Sequence, residues 1–341
     1  MKDFEALTQR GQLRRIHQVA GRALEAFGQA DATRISLLDH GENTTFRARV
    51  AQPLEPRGEH LSSDSLLVRC HRPGYNTSAV IESELMWLEA LHEAGVAVQL
   101  PLRDSDGRGV IQVDVEGVPG GRQVSVLRWA QGSMIRRSKT HHMKHIGALT
   151  AQLHEHAVGW EPPAGFERPR IDMQQRFNVS EDLSAADLVA RMTPRQAQTH
   201  QRASAYVRGI YDMLDEQVLI HADLHMGNMV FAGGQARPID FDDCGMGPLA
   251  YDFAVALMSW YGRPDFDARV EAFVQGYTAR AGHAPDLTHM EDMIIARTAE
   301  MCLWLIDRAR SVQSIRDNLD AWMSKRIERL EQMLDKRRAP A

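Results

Sequence analysis

The sequence predicts an α+β fold with two lobes, a small β-rich N-terminal lobe followed by a larger, mainly helical C-terminal lobe. Three observations predict it. The 341 residues suffice for two lobes, short β-prone runs cluster between residues 35 and 129, and helical periodicity dominates from about residue 138 onward. The predicted parts are an N-terminal helix at residues 1–29, an N-lobe at 30–129 and a C-lobe at 130–341.

The N-terminal part alternates between helical and extended patterns. Residues 1–27 are predicted as a helix because apolar residues such as Ile16 and Val19 recur near helical spacing. An apolar stripe predicts a second helix at 79–94. Short β-prone runs separated by Gly, Pro and Asp predict strands at 35–38, 45–50, 66–71, 110–115 and 123–129.

The C-terminal part is helical with one β-like interruption. Thr193 before Pro194 predicts a helix start, and Ser184 with Asp187 predicts a capping box. The apolar stripe at 290–305 predicts core packing. The interruption consists of three short predicted strands at 218–220, 229–231 and 237–241.

The composition argues against several classes of protein. The net charge is -5 with both signs interspersed, so no nucleic-acid partner is expected. The N-terminus has no uninterrupted apolar segment, which predicts no signal peptide, and no run of about 18 apolar residues predicts a membrane span. The three cysteines are widely spaced. We therefore expect a cytoplasmic protein with no membrane partner.

The reactive side chains concentrate in the β-like interruption. Phosphoryl transfer needs a carboxylate that accepts or orients the attacking hydroxyl, and oxygen ligands for Mg²⁺. Asp223 can supply the first, while Asn228 and Asp240 can supply the second. These residues therefore predict Mg²⁺-dependent phosphoryl transfer to a hydroxyl group. His221, Asp223 and His225 could instead be ligands in a metal-dependent hydrolase, which would leave Asp240 unexplained.

His221, Asp223 and Asn228, followed by Asp240 and the segment 247–254, resemble the signature of the aminoglycoside and choline phosphotransferase superfamily. The resemblance implies a bilobal, protein-kinase-like fold, ATP and Mg²⁺ as cofactors, and transfer to an alcohol group. It also implies that His221 braces the catalytic loop. Residues 67–75 and 82–88 are similar to the group that contains the bacterial stress response kinase and homoserine-kinase-like proteins.

The same resemblance assigns nucleotide-binding residues in the N-lobe. The loop that carries Gly41, Asn43 and Thr44 occupies the place of the phosphate-covering loop. Arg69 stands where most relatives have Lys, and an Arg there keeps the charge and can bind phosphate through two donors. The helix partner of Arg69 is expected to be Glu84.

Four further assignments complete the expected site. Glu82 is the second choice as the helix partner of Arg69, and Arg128 lies on the strand that leads to the hinge, where backbone groups would meet adenine. Asp252 is expected to cap the following helix and to hold the catalytic loop through hydrogen bonds to its backbone. Asp242 and Asp243 could form a solvated turn, or line the acceptor or magnesium site.

The sequence leaves the phosphoryl acceptor open. A small hydroxylated metabolite is the first hypothesis and a protein Ser/Thr hydroxyl the second. An aminoglycoside would want an acidic cleft, for which Asp242, Asp243, Glu181 and Asp182 are candidates. A nucleotide-binding pseudokinase is a third hypothesis, which only the substitution at Arg69 favours. The acceptor region is expected within residues 159–200, and the oligomeric state is not indicated.

Overall fold

A computed structural model describes residues 3–41, 43–172, 183–214 and 217–338. These residues form two compact units, one built on a β-sheet and the other mainly helical, which confirms the predicted α+β class. The first unit contains the chain up to Met134 together with 161–167 and 230–242, and the remainder belongs to the second unit. The sequence places residues 230–242 in the helical lobe, whereas their contacts group them with the sheet.

The first unit is organised around a five-stranded sheet in the order β1-β2-β3-β5-β4, with every neighbouring pair antiparallel. Each predicted strand is present with somewhat different bounds. The strands are β1 (Ala32–His40), β2 (Thr44–Val50), β3 (Leu61–Cys70), β4 (Val110–Val113) and β5 (Arg122–Ala130).

Two helices accompany this sheet. Helix α1 (Gln9–Ala26) begins after Thr8, whose hydroxyl accepts the backbone N–H of Gly11. Its buried apolar residues join those of the sheet in one hydrophobic core, which is the main source of stability for such a unit. Helix α2 (Ser78–Glu93) begins in the same way at Thr77.

A hairpin of β7 (Met229–Ala232) and β8 (Gln235–Pro238) precedes the predicted metal ligand Asp240. Its two turn glycines have φ of 58° and 76°, the left-handed values that a tight hairpin turn requires. Strand β8 ends earlier than predicted, because proline has no N–H for the ladder and Asp240 has a φ of 64°.

The second unit combines its helices with the short antiparallel ladder of β6 (Val218–Ile220) and β9 (Gly245–Gly247). Pro194 begins a helix and Ser184 forms a capping box, which confirms both predicted starts. The helices are α3 (Thr140–Gly159), α4 (Ala185–Val189), α5 (Pro194–Leu214), α6 (Leu249–Leu257), α7 (Phe266–Ala281), α8 (Met290–Arg308) and α9 (Gln313–Arg338).

Helices α3 and α7 approach each other through two glycines. A Cβ on Gly147 would lie 2.0 Å from the carbonyl oxygen of Phe273, and one on Gly276 would lie 1.9 Å from that of Lys144. Only residues without a side chain permit this backbone contact. In the part of the chain that the structure describes, no helix has the length and apolar character needed to cross a membrane.

Candidate active site

The predicted catalytic loop, in the second unit, holds Asp223 and Asn228 in direct contact. The side-chain amide of Asn228 donates to the Asp223 carboxylate over 2.7 Å and to the Asp223 carbonyl over 3.1 Å. The short 3-10 turn Met226–Asn228 brings the two residues together. Because the amide nitrogen faces Asp223, the amide oxygen is turned away and can meet a cation. The Asp223 side chain is 17% exposed, so the carboxylate is reachable.

A buried carboxylate supports the backbone of this loop. Asp252 accepts the N–H of His221 over 3.1 Å and that of Ala222 over 2.7 Å. His154 lies 3.2 Å from the same carboxylate. Burial alone would raise the pKa of Asp252, but the hydrogen bond and charge of His154, the charge of His221 and the N–H of Ala222 lower it. The predicted hydrogen bonds from Asp252 to the loop backbone are therefore present. The predicted helix cap is wrong, because Asp252 lies inside the following helix, whose N-cap is Pro248.

The conformation of the loop is strained as well as supported. Ala222 has a φ of 63°, a left-handed value that costs a non-glycine residue about 1–2 kcal/mol. The buried ring of His221 accepts the N–H of Asp223 at Nδ1 over 3.3 Å. His221 thus braces the loop, as the resemblance implies. Such strain is found where the surrounding structure over-determines the backbone, and functional sites are typical places.

Arg297 of α8 is a residue that the sequence prediction missed. Its guanidinium donates to the second oxygen of the Asp223 carboxylate, and it lies 3.8 Å from Glu300. Glu300 in turn accepts the hydroxyl of Tyr251. The apolar spacing at 290–305 correctly predicts a packed helix. The same pattern gives no reason to single out the one Arg within it. A lone Arg inside a buried apolar stripe was the available signal.

The first unit contains a second polar group, centred on Arg69. Its guanidinium donates to Glu84 over 2.7 Å and to Asp240 over 3.2 Å. Arg69 and Glu84 are fully or almost fully buried, whereas the Asp240 side chain is 52% exposed. Burial disfavours the charged form, but the carboxylates of Glu84, Asp240 and Asp242 outweigh it and raise the pKa of Arg69. The expected Arg69–Glu84 pair is present.

The residues of the predicted phosphate-covering loop have their own partners. Asn43 donates to Asp242 over 2.8 Å and accepts the N–H of Arg72 over 3.0 Å. Thr44 contacts His40 over 2.8 Å through its hydroxyl. The N–H of Gly41 donates to the carbonyl of Asn43 over 3.1 Å. Asp242 is buried, so it is part of a network and not a solvated turn.

Two other predicted residues face different partners. The Arg128 side chain donates to the carbonyls of Glu55 and Ser62 at 2.9 and 3.2 Å, so its guanidinium holds neighbouring backbone. Glu82, the second choice for Arg69, pairs with Arg103 instead. Glu181 and Asp182 lie outside the described residues.

The metal-dependent hydrolase alternative gains no support from the described side chains. Within residues 3–41, 43–172, 183–214 and 217–338, no three His, Cys, Asp or Glu side chains converge as a metal-binding group. His225 instead accepts the N–H of Gly227 over 2.9 Å, with its other ring nitrogen 3.5 Å from Asp223. It therefore shapes the loop beside Asp223.

A buried Arg–Glu pair on a sheet and a loop with paired Asp and Asn among helices are typical of a kinase-like phosphotransferase. The model of the phosphotransferase enzyme family matches residues 54–286, and the chain belongs to this family. A homoserine kinase of Pseudomonas aeruginosa is 29% identical over 227 residues, which are 64% of this chain and 66% of that relative.

Solved structures agree with this family. The microcompartment-associated aminopropanol kinase has a TM-score of 0.74 and 26% identity, covering 94% of this chain and 98% of that one. An amicoumacin kinase in complex with AMP-PNP and Ca²⁺ has a TM-score of 0.70 and 17% identity, covering 93% and 96%, a likeness that shows the fold alone. The resemblance, the protein-kinase-like fold and the phosphotransferase class are confirmed.

Proposed function

We propose that this chain transfers the γ-phosphoryl group of ATP to a hydroxyl of a small-molecule acceptor, with Asp223 as the base. The observation that carries the proposal is the carboxylate of Asp223, held by Asn228 at 2.7 Å on a loop whose backbone Asp252 fixes. Such pre-organisation is what a transfer reaction that depends on positioning requires. Asp223 binds the acceptor hydroxyl and takes its proton as the phosphoryl group moves.

Asn228 and Asp240 are the proposed ligands of Mg²⁺. Each offers a hard oxygen: the Asn228 amide oxygen, which is turned away from Asp223, and the exposed carboxylate of Asp240. When bound, the ion neutralises charge on the phosphates. The family to which the chain belongs, and the AMP-PNP and Ca²⁺ bound by the amicoumacin kinase, are consistent with this use of nucleotide and metal.

Six N-lobe residues are proposed to serve the nucleotide, directly or by support. Arg69 faces Asp240 at 3.2 Å and would turn its second donor from that carboxylate toward phosphate, while Glu84 keeps it in place. Gly41 and Thr44 would cover the phosphates with backbone groups, and the bonds of Asn43 would hold their loop. Arg128 would act through its strand and not through its side chain.

The acceptor is proposed to be a small amino alcohol. Homoserine and aminopropanol, the substrates named for two relatives, both combine a hydroxyl with an amine. The Asp223 carboxylate is 17% exposed and would attract the ammonium group of such an acceptor. A cytoplasmic location stays a prediction.

The test is a γ-phosphoryl transfer assay with Mg·ATP. The panel contains homoserine, aminopropanol, their deaminated analogues, an aminoglycoside and a generic Ser/Thr protein. We expect transfer to an amino alcohol, a weaker rate with its deaminated analogue, and none above background with Asp223→Ala. Labelling of the protein alone would replace this proposal with the protein-kinase alternative, and ATP binding without transfer to any acceptor would favour a pseudokinase.

A further inference from the structure

We propose that Arg297 is a positioning residue that, with Glu300 and Tyr251, fixes the carboxylate of Asp223 for catalysis. The inference rests on the proposed function, in which Asp223 is the base. It adds a second support, from α6 and α8, to the one that Asp252 gives the loop backbone.

The carboxylate of Asp223 is held on both of its oxygens. Asn228 donates to Oδ2 over 2.7 Å, and Arg297 donates to Oδ1. A carboxylate with one contact can still rotate about its terminal bond, whereas contacts from the loop and from α8 fix its plane. The side chains of Asp223 and Arg297 are 17% and 14% exposed, so water competes weakly for this ion pair.

Arg297 has a support of its own. Glu300 lies three residues later on the same face of α8, with a carboxylate oxygen 3.8 Å from the guanidinium. The side chain of Glu300 is 3% exposed and accepts the hydroxyl of the buried Tyr251. A buried acidic group with a fixed partner gives the guanidinium a fixed counter-charge.

The two supports of the catalytic loop begin at adjacent residues of α6. Asp252 bonds the N–H groups of His221 and Ala222 and thereby sets the backbone. Tyr251 acts through Glu300 and Arg297 on the side chain of Asp223. One turn of helix therefore controls both the position of the loop and the orientation of its carboxylate.

The variant Arg297→Met retains a long, flexible side chain at this position and removes the guanidinium. We expect kcat to fall roughly 10–100-fold while KM for ATP and for the acceptor change by no more than about twofold, because a misplaced base affects the chemical step. Arg297→Lys should retain part of the activity, and added guanidinium ion should restore part of the activity of Arg297→Met. Tyr251→Phe should lower kcat less than Arg297→Met.

Two control variants remove polar contacts of the same chemical kinds elsewhere in the second unit. Arg195→Met breaks a two-pronged Arg–carboxylate pair with Glu331 elsewhere in the same unit. Tyr206→Phe removes a Tyr–carboxylate bond of 2.7 Å to Asp292 on the same helix α8. Both controls should leave kcat within about twofold of the wild-type value.

The outcomes distinguish this inference from the proposed function. Wild-type transfer with an unchanged kcat in Arg297→Met overturns the inference alone. An increase in the KM of the acceptor with no change in kcat also overturns it. So does a fall in kcat that parallels the fall in melting temperature and is not restored by guanidinium ion. If the wild type transfers nothing, the proposed function fails. Crystal structures of the variants then test the positioning role of Arg297 without an activity assay. The Asp223 carboxylate should lose its fixed orientation in Arg297→Met and keep it in Arg195→Met, and an unchanged orientation in Arg297→Met would overturn the inference.

Discussion

The carboxylate of Asp252 accepts the backbone N–H of Ala222 over 2.7 Å, at the point where the chain adopts a φ of 63°. Asp252 is completely buried, and its second oxygen accepts the N–H of His221. Hydrogen bonds from two successive amides to one buried carboxylate can hold a backbone that Ala would not adopt by itself. This relationship ties the first turn of α6 to the loop that carries Asp223.

Replacing Asp252 with Asn is expected to destabilise the protein by about 1–3 kcal/mol, because one loop N–H would lose its acceptor in a buried site. Urea denaturation measures this change. The control is Asp286→Asn, whose carboxylate accepts the N–H of Thr288 in an exposed turn, and it should cost under about 0.5 kcal/mol. Equal effects of the two substitutions would refute the assigned role of Asp252.

Arg69 and Glu84 form a buried pair, so each depends on the other. Arg69→Met is expected to cost about 3–5 kcal/mol, since it removes the guanidinium partner of a buried carboxylate. The double variant Arg69→Met, Glu84→Met should cost clearly less than the sum of the single changes. The exposed pair of Arg49 and Asp64 is the matched control, with an expected coupling of about 0–1 kcal/mol. Additive effects at Arg69 and Glu84 would contradict the account.

His71 predicts a particular dependence of stability on pH. Burial lowers its pKa in the folded protein from 6.5 to about 3, while its ring contacts Ser125 over 2.9 Å. Between these values the unfolded chain binds a proton that the folded protein does not. Stability therefore falls as pH falls through this window, by up to about 1.4 kcal/mol per pH unit.

The variant His71→Gln tests this dependence. Its free energy of unfolding should fall less steeply than that of the wild type between about pH 6.5 and 4.5, so the difference between the two proteins should shrink as pH falls. Measurements at pH 8, where both states of the wild type hold a neutral ring, give the reference difference. Parallel curves over the whole range would show that His71 is not buried as described.

Asp240 is proposed to bind the metal ion, which predicts an effect on nucleotide affinity. Asp240→Ala should weaken Mg·ATP binding by about an order of magnitude or more, because it removes a carboxylate ligand. Calorimetric titration with and without Mg²⁺ measures this loss, which should be smaller without the metal. Asp106→Ala removes an exposed carboxylate from the same unit and serves as the control. An unchanged affinity in Asp240→Ala would exclude Asp240 as a ligand.

Local signals in the sequence predict much of this fold and part of the site. The predicted strands, the helix starts at Ser184 and Pro194 and the pairing of Arg69 with Glu84 all depend on short-range patterns or on a family motif. The end of β8 at Pro238 was predicted too late, because the left-handed backbone at Asp240 cannot be inferred from the β-prone run before it.

Contacts between residues that are far apart in the sequence were not predicted. Arg297 reaches Asp223 across 74 positions of sequence, and Asn43 reaches Asp242 across 199. No periodic pattern in the sequence predicts either contact. A single polar residue on a buried helix or loop does not indicate which residue it will contact. Asn43 was predicted to serve phosphate, and the structure adds that both ends of its amide are hydrogen-bonded within the first unit.

The most direct test of the central claim compares the wild type with Asp223→Asn in γ-phosphoryl transfer to the preferred acceptor at saturating Mg·ATP. The substitution keeps the shape of the side chain and removes its charge and its capacity as a base. If Asp223 is the base, kcat should fall roughly 10²–10⁴-fold while ATP affinity changes by no more than about twofold. Equal rates in the two proteins would contradict the assignment of Asp223 as the catalytic base.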